Sequence, residues 1–322
     1  MVMSDDAAPH LIGLDWGTSS LRAFLMREGR VIETRHAGDG IQSLAGGGKA
    51  GFERAFAAIT GAWLDRWPAL PVVACGMVGS AQGWCEVPYA TSPADAHAIA
   101  RHATTLTTTA GARVLIAPGV LHQTAHGSPD VMRGEETQVV GALQRDAAWS
   151  RAACLVMPGT HSKWVQVRDG RIEALATYMT GELFAVLRAH SILGRLMPAD
   201  VGATADGAAL WPGFARGVAQ AAQARAELLH TLFSARTLGL TERLPKDQIA
   251  DYLSGLLIGS EIVAALAQAP AELPLVLVGE PALCQRYAAA LEALQRAPTA
   301  LLGNTAPDGL WALAHAAGLV AP

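Results

Sequence analysis

The stretch LIGLDWGTSSLRAFLM at residues 11–26 sets a lone acid, Asp15, ahead of Gly17, Thr18, Ser19 and Ser20. A P-loop runs strand, glycine loop, helix, and carries Gly-Lys-Ser/Thr. Here there is no lysine, and the chain resumes as a strand. Small residues between two strands leave room for a phosphate and offer it backbone N–H and hydroxyl donors. Residues 155–167, LVMPGTHSKWVQV, repeat the idea with Gly159, Thr160, His161 and Ser162, so both copies spell G-T-x-S at an offset of 142 residues. The carboxylate is present only in the first copy, because Met157 stands where Asp15 would. A phosphate-bound Mg²⁺ needs one or two carboxylates, often through water, which Asp15 can supply. The plainer reading, an acid capping a turn and ordinary hairpin chemistry, competes at each copy and weakens when two copies align.

The elements that hold these turns repeat as well. Glu28-Gly29-Arg30-Val31 corresponds to Asp169-Gly170-Arg171-Ile172 at an offset of 141, and an acid-Gly pair between extended runs is a tight hairpin turn. Each half therefore opens with a three-strand meander. Helices and strands then alternate: Phe52, Phe56, Ile59 and Trp63 fall at helical spacing within 49–66, PVVACG at 71–76 is a buried strand, and 213–234 and 247–268 are helical patterns. LPLVLVGE at 273–280 is another buried strand, followed by a helix near 281–296, and a last amphipathic helix near 308–317 is placed to lie back across the first half. The expected architecture is α/β, with domains at 1–145 and 146–322 facing each other across a cleft.

The bulk numbers bound the answer. The 322 residues favour two domains, and 51% hydrophobic with 16% charged residues is a packed globule. With 24 Lys+Arg against 28 Asp+Glu, the net charge of −4 excludes a broad nucleic-acid footprint. The start, MVMSDDAAPH, has acids where a secretory signal has basic residues. The apolar stretch 255–267 is broken by Glu261 and reads as too short for a membrane span. Cys75, Cys85, Cys154 and Cys284 show no metal spacing, as reduced thiols in a cytoplasmic protein would.

Asp15-Trp16-Gly17-Thr18 followed by Arg22 resembles the first phosphate motif of the sugar kinase, actin and hexokinase superfamily, and Pro158-Gly159-Thr160-His161-Ser162-Lys163-Trp164 resembles its second. ACGMVGSAQGW at 74–84, VMRGEETQVVGAL at 131–143 and YMTGELFAVLRAHSIL at 178–193 extend the resemblance, and the chain is similar throughout to the bacterial 2-dehydro-3-deoxygalactonokinase family. The resemblance implies two actin/hexokinase-like (ribonuclease H-like) domains. It also implies ATP- and Mg²⁺-dependent phosphorylation of 2-dehydro-3-deoxygalactonate, a sugar acid, at its terminal hydroxyl, in galactonate breakdown.

It implies residue roles too. Gly17 to Ser20 and Gly159 to Lys163 would hold the ATP phosphates, with Asp15 on the metal, directly or through water. Gly134-Glu135 occupies the place of the Gly-Asp pair that supplies the catalytic acid in related carbohydrate kinases; Glu replaces Asp, and Glu136 competes with Glu135 as base. Ser80, Gln82 and Trp84 would line the sugar pocket, and the Gly38–Gln42 loop approaches it through Gln42. Arg22, Arg133, His161 and Lys163 are the cations available to the substrate carboxylate. Gly279-Glu280 resembles the adenosine-binding turn, although the second glycine expected there is absent. Three rivals stay open: the gluconate-derived epimer as substrate, a neutral hexose, or a non-catalytic nucleotide-binding regulator on the same fold. No nucleic-acid or membrane partner is expected, and the oligomeric state, a homodimer included, is open.

Overall fold

Two tight turns explain why each half opens with strands. Glu28 and Gly29 take φ of 51° and 73°, and Asp169 and Gly170 take 49° and 72°. Positive φ at both central residues makes a type I′ turn, whose twist matches that of the flanking strands. The acid-Gly pairs are therefore hairpin tips, as their sequence predicts.

The computed structural model describes residues 8–124, 127–198, 212–224 and 227–321. Its strands are β1 (Leu11–Trp16), β2 (Leu21–Arg27), β3 (Arg30–Ala37), β4 (Val72–Cys75), β5 (Ala90–Thr91), β6 (Thr104–Thr107), β7 (Arg113–Ile116), β8 (Val120–Gln123), β9 (Pro129–Met132), β10 (Ala152–Met157), β11 (Ser162–Arg168), β12 (Arg171–Tyr178), β13 (Leu275–Val278) and β14 (Ala300–Leu302). The helices of eight or more residues are α1 (Gly48–Arg66), α2 (Glu135–Leu143), α3 (Thr180–His190), α4 (Pro212–Ala224), α5 (Ile249–Leu266), α6 (Pro281–Ala293) and α7 (Ala306–Ala316). Two compact units result: Met1–Ala152 with Val167–Leu175 and Asn304–Pro322, and Ala153–Gln166 with Ala176–Gly303.

In the first unit the sheet order is β3-β2-β1-β4-β7-β6. β1 and β2 are antiparallel, while β4 runs parallel to β1, and β7 parallel to β4. Phe52, Phe56, Ile59 and Trp63 of α1 are buried, as their spacing requires. They join Ile12, Leu14, Trp16, Val72 and Ile116 in one core, where each buried large side chain contributes about 1.5–3 kcal/mol. Trp84 belongs to the same core. It is 2% exposed, stacked on Phe52 and edge-on to Trp16, so it does not form the expected pocket wall; burying a whole indole among aromatic rings outweighs presenting it to a ligand. α7 buries Leu310 and Leu313 in this unit, with Leu310 seated against Gly13 of β1.

The second sheet repeats the plan, in the order β12-β11-β10-β13-β14, with β13 parallel to β10 and β14 parallel to β13. The helical run expected over 213–234 is split: α4 ends at Ala224, Leu228–Leu232 forms a separate short helix, and 225–226 lie outside the described residues. α6 stops at Ala293, short of 296, because Gln295 turns to a φ of 60°, a left-handed residue of the kind that ends helices. The apolar stretch around Glu261 extends further than expected: by length and composition, Lys246–Leu266 could cross a bilayer. Two-thirds of that span is buried inside the protein, the mark of a core helix.

Candidate active site

Three segments of the first unit converge at the ends of β1 and β4. Asp15 pairs across the ladder with Arg22 and in parallel with Cys75. Its Oδ2 accepts a 2.5 Å hydrogen bond from Arg22 Nη2. Burial pushes the Asp15 carboxyl up, and the Arg22 guanidinium pulls it back. Gly76 (φ 92°) turns the chain after β4, and Gly134 (φ 107°) starts α2 against it: a Cβ at Gly134 would lie 3.1 Å from Gly76 Cα. Only backbone can pass there, and that contact brings Glu135 and Glu136 to the strand ends that carry Asp15.

The two glutamates differ sharply. Glu135 is half-buried, and its Oε2 accepts the Arg133 N–H at 3.0 Å. Glu136 is sealed, accepting from Gly134 N–H at 2.6 Å and from Thr137 Oγ1 at 2.9 Å. Burial, reinforced by the Glu135 charge, pushes its carboxyl up to about 7. Among the described residues no cluster of three or more His, Cys, Asp or Glu could hold a metal. A lone Asp15 carboxylate fits a hard cation held chiefly by the phosphates it arrives with, rather than a resident metal.

Arg133 precedes this helix. Its Nη2 donates to Val87 O at 2.8 Å, and the guanidinium lies 4.3 Å from the Tyr89 ring centroid. Among the described residues its Nε and Nη1 are buried with no hydrogen-bond partner, and so is Ser80 Oγ. Nη1 borders the same backbone as Ser80, since a methyl at Gly79 would lie 3.0 Å from it. Buried polar atoms left unpaired cost roughly 1–3 kcal/mol each, more when charged. Buried donors of this kind call for an acceptor beside them.

The first small-residue turn closes with Gly17 N–H donating to Ser20 O at 2.9 Å, leaving Thr18, Ser19 and Ser20 exposed. The Gly38–Gln42 loop braces it: the Ile41 and Gln42 amides donate to Gly17 O and Thr18 O, and Trp16 Nε1 donates to Asp39 O. Gln42 thus supports the turn through its backbone, with its side chain exposed; Gln82 is exposed too.

In the second unit, Gly159 and Thr160 edge a cavity of about 460 Å³, within the range of small-ligand sites. Phe184, Leu257, Ile258 and Leu283 form its apolar walls, and Arg188, Asp251, Ser254 and Arg286 supply polar groups. Glu280 also lines it, although its carboxylate caps α6 by accepting from the Ala282 and Leu283 amides. Gly279 precedes it at φ 150°. Ser162 departs from expectation: it is 0% exposed, and its hydroxyl is bonded to Tyr287 OH at 2.8 Å, so it faces the core and not a phosphate. Both faces of β11 are covered from Ser162 to Val165, so a side chain on either face there is buried. His161 is exposed and paired with Glu182, while Lys163 is buried and donates to His161 O at 3.1 Å. Sequence reading missed this cavity and the buried Glu261 beneath it; the only signal was an acid inside an apolar helix.

A family model described as 2-keto-3-deoxy-galactonokinase matches residues 15–313. The 2-dehydro-3-deoxygalactonokinase of Escherichia coli K12 is 36% identical over 95% of this chain and 97% of its own. A relative from Rhizobium meliloti whose name carries the same activity is 38% identical, over 88% of this chain and 90% of its own. A crystal structure from Sinorhizobium meliloti, named for the same enzyme, superposes with a TM-score of 0.81 at 34% identity, covering 95% of this chain and 99% of that one. With the paired meanders and converging acids described above, these similarities settle the assignment: the chain belongs to the 2-keto-3-deoxy-galactonokinase family.

Proposed function

We propose that the protein transfers the γ-phosphoryl group of ATP to the terminal hydroxyl of 2-dehydro-3-deoxygalactonate. The observation that carries this reading is the pair of buried Arg133 donors beside Ser80, Nε and Nη1, which have no partner among the described residues; either can donate to a carboxylate oxygen while the hydroxyl takes a sugar oxygen. Names of the relatives support the same substrate. Thr18 to Ser20 in the first unit and Gly159 to His161 in the second offer donors to phosphate oxygens. The cavity lined by Phe184 and Leu257 suits a nucleobase. Mg²⁺ would be held by Asp15 and would neutralise charge on the phosphates.

Glu135 is the base in this scheme. It is partly accessible at the start of α2, whereas Glu136 has no exposed surface. As the acceptor hydroxyl attacks phosphorus, its proton passes to Glu135, the new P–O bond forms, and the bond to the departing ADP oxygen breaks. Four free cysteines and ATP as donor favour a cytoplasmic enzyme.

The test is coupled ADP release over 2-dehydro-3-deoxygalactonate, its gluconate-derived epimer and neutral hexoses. Turnover should be fastest with the galactonate-derived acid. Arg133→Ala should raise the KM for that acid by ~10²-fold, the cost of one lost partner in a buried charge pair, and leave ATP affinity within about twofold. ATP binding without acceptor-dependent ADP release would overturn the proposal in favour of a regulator.

A further inference from the structure

Glu261 sits on α5 amid apolar neighbours and is 3% exposed. One carboxylate ties together three elements. Its Oε1 accepts from Trp164 Nε1 of β11 at 2.8 Å; its Oε2 accepts from Thr180 Oγ1, at the start of α3, at 2.5 Å and from Tyr287 OH of α6 at 2.6 Å. Tyr287 OH in turn bonds Ser162 Oγ at 2.8 Å, and Ser162 Oγ accepts the Gly159 N–H at 3.3 Å. The chain of contacts runs without a break from the buried acid to the turn at the edge of the cavity.

The start of α3 is locked to that turn from the other side. Glu182 N–H donates to Thr160 O at 3.0 Å, and a methyl at Gly181 would come within 2.5 Å of Gly159 O. Thr180, which Glu261 holds, therefore fixes the backbone on which Gly159 and Thr160 rest. Thr180, Gly181 and Tyr287 also line the cavity. A buried carboxylate is costly unless several donors satisfy it. The hydroxyls and indole around Glu261 meet that need, and packing alone would be served as well by an apolar residue of similar volume.

We infer that Glu261 is a positioning residue for nucleotide binding, pre-organising the Gly159–Ser162 turn through Tyr287, Ser162 and Thr180. The inference rests on the proposal that the second unit's cavity takes ATP. Pre-organised donors bind a phosphate without first ordering their own backbone, so cutting the network should weaken the nucleotide and not the sugar acid.

The experiment compares wild type, Glu261→Gln and Tyr287→Phe by calorimetric titration with ATP, by acceptor KM at saturating ATP, and by amide exchange across residues 159–163. Tyr287→Phe keeps the ring and removes only the bridging hydroxyl. The expected result is ATP binding weaker by about 10-fold in both variants, acceptor KM within about twofold of wild type, and faster exchange at 159–163. A purely structural role would lower the melting temperature and leave the ATP affinity of the folded protein unchanged; that result overturns the inference, and if Glu261→Gln does not fold, Tyr287→Phe decides alone. Wild-type protein that binds no ATP overturns the proposed function together with this inference, whereas wild-type binding with unaltered variants overturns the inference only.

Discussion

Glu135 and Glu136 are adjacent in sequence and opposite in environment, one half-buried beside Arg133 and the other sealed between Gly134 and Thr137. Glu135→Gln should lower turnover by ~10²–10⁴-fold, the usual worth of general-base assistance, with ATP affinity nearly unchanged in a direct titration. Glu136→Gln should act on stability. The Glu136 carboxyl rises from an ordinary value near 4.5 to about 7, so between those values the folded state holds a proton that the unfolded chain has lost. Stability then falls as pH rises through that window, by about 3 kcal/mol in all, with no loss below pH 4.5 and the full loss above 7. A glutamine mimics the neutral acid, its carbonyl accepting from Gly134 and its amide donating to Thr137. Urea unfolding across pH 4.5–7.5 should show a flatter profile in Glu136→Gln, and a kcat collapse in that variant would move the base by one residue.

At the scale of elements, the start of α2 is held where α2 crosses α7. A methyl at Gly309 would lie 1.8 Å from Thr137 O, and one at Gly141 would lie 2.0 Å from Thr305 O. Thr305 Oγ1 donates to Gln138 O at 2.7 Å, and Arg145 pairs with Asp308 at 2.6 Å. Gly309→Ala gains about 1 kcal/mol in helix propensity, but the obstacle is backbone, which cannot rotate away. Overpacking costs of about 1–3 kcal/mol or more should win. Denaturant titration should show net destabilisation, accompanied by a fall in kcat as the Gly134–Glu136 segment shifts off Gly76.

At the scale of the whole molecule, the last helix of the chain completes the first unit. Leu310 and Leu313 are 0% and 1% exposed, packed among elements that precede residue 152. A chain ending at Gly303 would lose both side chains, at about 1.5–3 kcal/mol each, together with the glycine-mediated contact on α2. That is a large share of a typical domain's 5–15 kcal/mol. The truncated protein should express as aggregate or lose its cooperative thermal transition, checked by calorimetry of any soluble fraction.

Local physics determined what was legible in the sequence alone. The G-T-x-S turns, the acid-Gly hairpins, the spacing of Phe52, Phe56, Ile59 and Trp63, and the MRGEET block depend on neighbours a few residues away, and each lies in the element its pattern demands. Long-range packing decided the rest. Trp84 and Ser162 look like ligand groups in sequence, and the folded chain turns both into its interior because an indole or hydroxyl with buried partners is more stable there. The buried Arg133 guanidinium beside Ser80, the cavity beside Gly159 and the Glu261 network join segments up to 125 residues apart. No periodicity encodes such a meeting; only the closed tertiary structure brings those atoms within hydrogen-bonding distance.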